Sequence, residues 1–213
     1  MRQKIFFALV LGLAAAPAKA QDRPAMIPNR DVAVTYRIVG SEHFGAQQMQ
    51  IAWLAAQGLQ RMDMGNGQGW MVSDVRNNRG FMVMERDRMV MDMPDIGARG
   101  GPQVLRLSDA ARITREGSAT LAGHACTVWK VEDQGRQSRA CITSDGVMLR
   151  VLGQNPANPN VESGLEAVQV SYGPQDPARF SRPAGFQAMQ LPSGLPPGMM
   201  GGITGGPPPG QKR

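Results

Sequence analysis

Methionine recurs at every second position on both sides of a charged tetrapeptide in the segment FMVMERDRMVMDMP, residues 81–94. Alternate residues of a β-strand point to opposite faces of a sheet, so this spacing places the methionines of both arms on one face. The charged residues between the two arms are typical of a turn. The segment therefore predicts a β-hairpin with one methionine-rich, apolar face.

Turn signals on either side extend this pattern to five antiparallel strands. The clearest is Asn66-Gly67, the dipeptide favoured in two-residue hairpin loops because both positions require positive φ. Loops at Ala56-Gln57, Asn66-Gly67, Asn77-Asn78 and Arg86-Asp87 predict the cross-strand pairs Ile51–Met62, Met62–Met71, Met71–Met84 and Met84–Met89.

These registers, although chosen from the turns alone, agree on which residues share a face. One face is rich in methionine and nearly uncharged, whereas the other carries charges around a stripe of valines. A slip of one residue in any hairpin would move its methionines to the charged face, so the pattern itself specifies the register. The residues predicted to line a ligand site on the methionine face are Met49, Ile51, Trp53, Met62, Met64, Met71, Ser73, Met82, Met84, Met89 and Met91.

The first twenty residues, MRQKIFFALVLGLAAAPAKA, have the features of a secretory signal peptide. Arg2 and Lys4 precede an apolar run, and the segment ends in the cleavage pattern Ala18-Lys19-Ala20. The apolar run is too short to span a bilayer, which takes about 20 residues. We therefore expect export, cleavage after Ala20 and no membrane-spanning segment.

The rest of the chain is predicted to contain a lead-in at residues 21–30, a single β-rich domain at residues 31–190 and a tail at residues 191–213. Proline and glycine dominate the tail without apolar periodicity, which predicts disorder. Loss of the signal peptide lowers the formal charge from +6 to +3, and Lys212 and Arg213 supply two of the remaining positive charges. The domain is thus nearly neutral, which argues against a nucleic-acid partner.

Strand patterns continue through the second half of the chain and bring the predicted total to about ten strands, a number at which sheets curl or close. Little helix is expected. The exception is a short helix at Leu107–Arg112 with Ser108 as its N-cap.

The two cysteines lie in one predicted hairpin. A loop at Asp133-Gln134 places Cys126 directly opposite Cys141, close enough to bridge. Zinc binding by both cysteines and His124 is the alternative, but an oxidising compartment favours a disulfide. We therefore predict a Cys126–Cys141 disulfide.

The sequence contains none of the common catalytic motifs, such as HExxH, GxSxG or a phosphate-binding glycine loop. Four carboxylates fall on the charged face of the predicted sheet, where we expect them to be solvated: Asp63, Asp74, Glu85 and Asp92. The prediction is a protein that is not an enzyme and that uses no cofactor or metal.

The methionine face has three interpretations. It is an ordinary core in which flexible methionines fill gaps, or the lining of a pocket that re-packs around apolar ligands. The third is a Cu(I) site made of thioethers. The repeats that suggest copper are Met62-x-Met64, Met82-x-Met84 and Met89-x-Met91-x-Met93.

Three segments of the second half, GSATLAGHACTVWKVED, ACITSDGVMLRV and SYGPQDPARFSRPAGFQ, resemble a family of exported bacterial proteins of unknown function. That family is distantly similar to the lipoprotein carriers and receptors LolA and LolB. The resemblance covers about residues 31–190, and its most specific parts are A-G-x-x-C-x-x-W at Ala122–Trp129 and P-A-G-F at Pro183–Phe186.

The resemblance implies a mainly β fold in which a curved antiparallel sheet forms a half-open barrel, with short helices as a plug or lid. It also implies a hydrophobic cavity on the concave side and a location in the periplasm of a Gram-negative cell. We therefore expect a periplasmic binding protein that holds a lipid, a lipoprotein acyl chain or another hydrophobic ligand on its methionine face. The alternatives are a methionine-based copper-binding protein and an envelope scaffold or interaction protein without a ligand, whose partner would be an envelope protein.

Overall fold

The computed structural model describes residues 23–40, 48–65, 67, 69–94, 96, 107–155 and 158–189, and the statements that follow concern these residues. The predicted signal peptide and the predicted tail lie outside them. The strands are β1 Val32–Val39, β2 Gln48–Leu54, β3 Leu59–Met64, β4 Gly69–Asp74, β5 Arg79–Met84, β6 Met89–Met93, β7 Arg112–Leu121, β8 His124–Asp133, β9 Arg136–Ile142, β10 Met148–Asn155, β11 Asn158–Tyr172 and β12 Gln187–Met189. Two short 3-10 helices occur at Ala55–Gln57 and Pro177–Phe180.

All twelve strands form a single sheet in the order β12-β6-β5-β4-β3-β2-β1-β11-β10-β9-β8-β7. Two antiparallel meanders, β1–β6 and β7–β11, meet where β1 pairs with β11 in the middle of the sheet. The short β12 is the exception to the antiparallel pattern, because it runs parallel to β6 at one edge. Neither helix of the described chain has the length and apolar character needed to cross a membrane.

The sheet is curved, and its two faces are packed differently. On one face, side chains from both meanders belong to a single apolar cluster that extends from Met93 on β6 through Val34 on β1 to Cys126 on β8. On the opposite face, the buried side chains fall into two separate clusters, one on each meander. Side chains converge on the inner side of a curved sheet and diverge on the outer side, so the first face is the concave one.

Each outer cluster is covered by a segment from one end of the described chain. Met26, in the segment before β1, packs against the cluster that contains Trp129. Residues 174–189, which we call the C-terminal strap, bring Phe180 and Phe186 onto the other cluster before the chain pairs with β6 as β12. The convex face of each meander is therefore buried by a terminal segment, while the meanders share the concave face.

Three of the four hairpin registers predicted for the methionine strands are observed. Ile51 pairs with Met62, Met62 with Met71, and Met84 with Met89. The predicted pair Met71–Met84 is wrong, because Met71 pairs with Met82 instead. The loop between β4 and β5 has four residues, 75–78, rather than the two predicted, and a shift of two residues keeps every side chain on the same face.

A similar shift occurs in the cysteine hairpin. Its loop is Gln134-Gly135, both with positive φ, rather than Asp133-Gln134, and Cys141 lies opposite Val128. The predicted direct pairing of the two cysteines is therefore wrong, but they lie on the same face and form the predicted disulfide, with Cα atoms 5.4 Å apart. A bridge across 15 residues stabilises the fold by about 3 kcal/mol in the chain-entropy model.

The helix predicted at Leu107–Arg112 is absent, since residues 107–110 form a turn and β7 begins at Arg112. Ser108 does not cap a helix. Its backbone N–H and its hydroxyl both donate hydrogen bonds to the carboxylate of Asp133 at the end of β8. This interaction anchors the chain where it enters the second meander, and it holds the pKa of Asp133 below its usual value.

Candidate functional site

The residues predicted to line the methionine face lie in three cross-strand rows on the concave side of β2–β6. The middle row contains Ile51, Met62, Met71, Met82 and Met91, each paired with the next across the sheet. On one side lies the row Met49, Met64, Gly69, Met84 and Met89. On the other side lies the row Trp53, Gln60, Ser73, Gly80 and Met93.

Burial varies across these rows. In the middle row, Ile51 and Met71 are only 2% exposed and Met62 and Met91 are nearly as buried, so these four form a packed floor, while Met82 is half-buried. In the row that contains Gly69, the four methionines are all half-buried. The methionine face thus has a closed floor and a more open rim at the end where β3 joins β4 and β5 joins β6.

Gly69 interrupts the row of rim methionines. Its φ of 156° and the close approach of the Val83 carbonyl, 2.1 Å from where a Cβ would lie, exclude any other residue. Met84 lies directly across the sheet from this position and Met64 ends the strand on its other side, so the row has no side chain between two flexible thioethers. Such side chains are flexible enough to re-pack around an apolar group.

Two polar side chains are buried in the third row, where Gln60 pairs with Ser73 across β3 and β4. They are the only polar groups in the three rows, and neither carries a charge. A mostly apolar lining with a few fixed polar groups is the usual composition of a small-molecule site.

Strand β1 and the second meander supply a part of the concave face that was not predicted from the sequence. The disulfide, Leu149 and Tyr36 all belong to the same buried cluster as Met62 and Met71. The Tyr36 hydroxyl donates a 2.6 Å hydrogen bond to the Met148 carbonyl, and burial raises the pKa of this phenol. The alternation of Val32, Val34 and Tyr36 along β1 was the sequence signal that could have placed the side chains of β1 on this face.

The carboxylates of the opposite face are not simply solvated, contrary to the expectation. Asp63 accepts hydrogen bonds from Arg61 and Arg179, and Asp92 accepts one from Arg182. Both Arg179 and Arg182 belong to the C-terminal strap, so these charges attach the strap to the sheet.

The other two carboxylates of this face also have partners. Glu85 accepts a 2.7 Å hydrogen bond from the indole Nε1 of Trp70. Asp74 accepts two from Asn77, one from the backbone N–H and one from the side-chain amide, and these bonds hold its pKa below the usual value. The carboxylates of the convex face therefore serve local structure.

Metal-ligating side chains are not grouped in the part of the chain that the structure describes: no three His, Cys, Asp or Glu residues converge on a common point there. His124, which the sequence placed near the cysteines, packs edge-on against Tyr172 with ring centroids 5.4 Å apart. The cysteines are joined to each other, so the zinc alternative is wrong for this arrangement.

No family model matches this chain, and no curated protein matches it. Solved structures share its fold. An uncharacterized conserved protein from Thermus thermophilus is 12% identical and superimposes with a TM-score of 0.54, over 76% of this chain and 91% of that one. MucB is 13% identical, with a TM-score of 0.52 over 76% of this chain.

This chain spans 60% of the MucB chain. Pseudomonas aeruginosa MucB is also known in complex with MucA, and that structure superimposes with a TM-score of 0.50 at 15% identity. A LolA-superfamily protein from Nitrosomonas europaea is matched at a TM-score of 0.40 and 7% identity. The shared feature is the fold, an open and curved antiparallel sheet, which confirms the predicted fold class.

Proposed function

We propose that the protein is a non-enzymatic periplasmic binding protein that holds a lipid, a lipoprotein acyl chain or another hydrophobic ligand on its methionine-rich concave face. The observation that carries the proposal is the change in burial across the methionine rows. A fully packed core has no reason to leave four methionines of one row partly exposed beside a buried floor. A rim of flexible, apolar side chains suits a ligand of variable shape.

The periplasmic location rests on the export signal in the first twenty residues and on the fold shared with MucB. The class of ligand is inferred from the uncharged, apolar side chains of the three rows. The three rows expose no charge, so an apolar chain can replace water on this face without leaving an ionic group unpaired. The buried pair Gln60 and Ser73 offers hydrogen bonds to an ester or hydroxyl at one end of such a chain.

Copper binding is the second candidate, because a cross-strand row brings Met62, Met71 and Met82 next to one another. Side chains paired across neighbouring strands have Cβ atoms about 5 Å apart, near enough for two thioethers to reach one Cu(I) ion. A third candidate is an envelope scaffold without a ligand, which the MucA complex of MucB makes reasonable.

Substitutions of rim and floor methionines separate these functions. Met71→Leu and Met84→Leu keep similar volume and apolarity, so each should cost less than about 1.5 kcal/mol of unfolding free energy and preserve binding of a fluorescent fatty acid. Met84→Lys should abolish that binding, because it places an ammonium group in the apolar rim. Fluorescence titration measures the fatty acid, and competition with a chromogenic chelator measures Cu(I).

Val168→Lys is the matched control, because Val168 is 45% exposed and a lysine there meets water. It should bind the fatty acid like the unsubstituted protein. Tight Cu(I) binding that both leucine variants lose, without a fatty-acid signal in any variant, would establish the copper function instead. Binding of neither probe would leave the scaffold as the function.

A further inference from the structure

A cavity of about 420 Å³ lies on the convex face, between the C-terminal strap and strands β3–β6. Its apolar walls are Leu59, Val72, Phe81 and Phe180, and Met93 and Pro94 line it where β6 ends. Phe180 comes from the strap and is itself buried, so the strap forms the roof while the sheet forms the floor. This volume lies within the range of about 300–1,000 Å³ that is usual for small-molecule sites.

Two arginines stand at the rim of this cavity. Arg79 is 68% exposed and Arg182 is 49% exposed, so the rim opens to water. The Arg182 guanidinium lies 4.9 Å from the centre of the Phe81 ring and also donates to Asp92. Both cations therefore sit where an apolar wall meets solvent.

Arg79 is weakly engaged by its neighbouring carboxylate. Its Nε atom is 3.4 Å from Asp74, beyond the usual length of a charged hydrogen bond. The oxygens of Asp74 are occupied instead by Asn77, at 3.0 and 2.7 Å. A guanidinium has five donors, so Arg79 keeps donors that can bind another anion.

We infer that this cavity binds an amphipathic monoanion, with its carboxylate on Arg79 and its short alkyl chain among Leu59, Phe81 and Phe180. A guanidinium binds a carboxylate in a two-pronged geometry, and the walls remove the alkyl chain from water. The site lies on the opposite side of the sheet from the methionine face and meets it at Gly80 and Met93, near the end of β6, and it does not depend on the function proposed for that face.

Octanoate and 1-octanol are suitable probes, because they have the same chain length and differ in charge. Titrated into the chain without its signal peptide and followed by calorimetry, octanoate should bind at least about tenfold more tightly than 1-octanol, as expected for one charge-assisted contact. Arg79→Gln should weaken octanoate about tenfold and leave 1-octanol unchanged. Arg86→Gln, in the exposed loop between β5 and β6, is the matched control and should change neither value.

A second variant tests the walls independently of the charge. Leu59→Trp fills the cavity from the sheet side and should weaken both probes, while Met84→Lys on the concave face should weaken neither. Octanoate binding that survives both Arg79→Gln and Leu59→Trp would overturn the inference. So would binding that only Met84→Lys removes, or equal affinity for octanoate and 1-octanol, or the absence of octanoate binding at millimolar concentration.

Discussion

At the scale of single residues, Asp145 connects three parts of the chain through one carboxylate. It accepts hydrogen bonds from Thr143 beside it, from Arg30 before β1 at 2.7 Å, and from the Tyr172 hydroxyl at the end of β11 at 3.2 Å. Arg30 also lies 3.7 Å above the Tyr172 ring. Burial raises the pKa of Asp145, but the hydrogen bonds from Thr143, Arg30 and Tyr172 outweigh this effect and hold the pKa below its usual value.

Asp145 should therefore make stability depend on pH. A carboxyl group whose pKa is lower in the folded protein stabilises it above about pH 3.9, the usual value for an unfolded aspartate, and this contribution disappears as the pH falls through the folded pKa. Asp145→Asn should cost about 1.5–3 kcal/mol at pH 7, as for hydrogen bonds to a charged group. The difference in unfolding free energy between this variant and the unsubstituted protein should shrink toward pH 2, as measured by urea unfolding.

Asp87→Asn, in the exposed turn between β5 and β6, serves as the control and should change the unfolding free energy little at either pH. An Asp145→Asn deficit of equal size at pH 7 and pH 2 would show that the charge of Asp145 is not what stabilises the fold.

At the scale of elements, the C-terminal strap completes the first meander. Phe180 is 4% exposed and covers a surface that includes Val72, Val83 and Val90 on β4–β6. Arg61 donates a hydrogen bond to the carbonyl of Arg179, while its guanidinium stacks 3.9 Å from the Trp70 ring. The strap is thus held by apolar burial at its centre and by charged contacts along its length.

Truncation tests this role of the strap. A chain that ends at residue 173 should lose its cooperative unfolding, because it uncovers the convex cluster of the first meander. A chain that ends at residue 190 should keep the melting temperature of the longer protein, since the predicted tail has no apolar periodicity. Phe180→Ala should cost about 3–5 kcal/mol, as for other buried phenylalanines.

Phe186→Ala removes the same ring from a half-buried position of the strap and should cost less than Phe180→Ala. Circular dichroism and urea unfolding measure these effects. A stable, cooperative protein after truncation at 173 would mean that the strap is not part of the folded domain.

The register of a strand pair could be predicted from the sequence where the turn between the two strands could be identified. Asn66-Gly67 fixed the pairing of β3 with β4, whereas Asn77-Asn78 did not, because Asp74 binds Asn77 and enlarges that loop to four residues. The faces were correct even there, since a shift of two residues preserves the alternation.

The covering of the convex face was not predictable from local pattern. The valine stripe indicated only a half-buried surface, and the segment that covers it is separated from β4 by about a hundred residues. Its four-residue 3-10 helix and its three-residue strand are too short to produce a periodic signal. The helix predicted from Ser108 was wrong for a related reason. The hydroxyl of Ser108 binds Asp133 on another strand, and a local pattern cannot show that partner.

At the scale of the whole molecule, one buried cluster runs beneath both meanders. It includes Met71 on β4, Leu165 on β11 and Leu149 on β10. The β1–β11 ladder joins the meanders at the centre of the sheet over eight residue pairs. Neither meander therefore has a concave core of its own.

This shared core predicts a single unfolding transition. Trp53 and Trp70 lie in the first meander and Trp129 in the second, so in Trp129→Phe the tryptophan fluorescence reports the first meander alone. Its urea midpoint should coincide with the midpoint from far-UV circular dichroism, which reports all strands. Two separate midpoints in that variant would show that the meanders unfold independently.

The pairing of β1 with β11 also determines when the chain can fold. Val32 pairs with Tyr172, so the centre of the sheet needs a strand that leaves the ribosome some 140 residues after its partner. Contacts of such long sequence separation form slowly, because the loop between them must first close. The two meanders can fluctuate on their own, but the finished domain has to wait for its last strands. A chain that stays unfolded until then is in the state that the predicted export across a membrane would require.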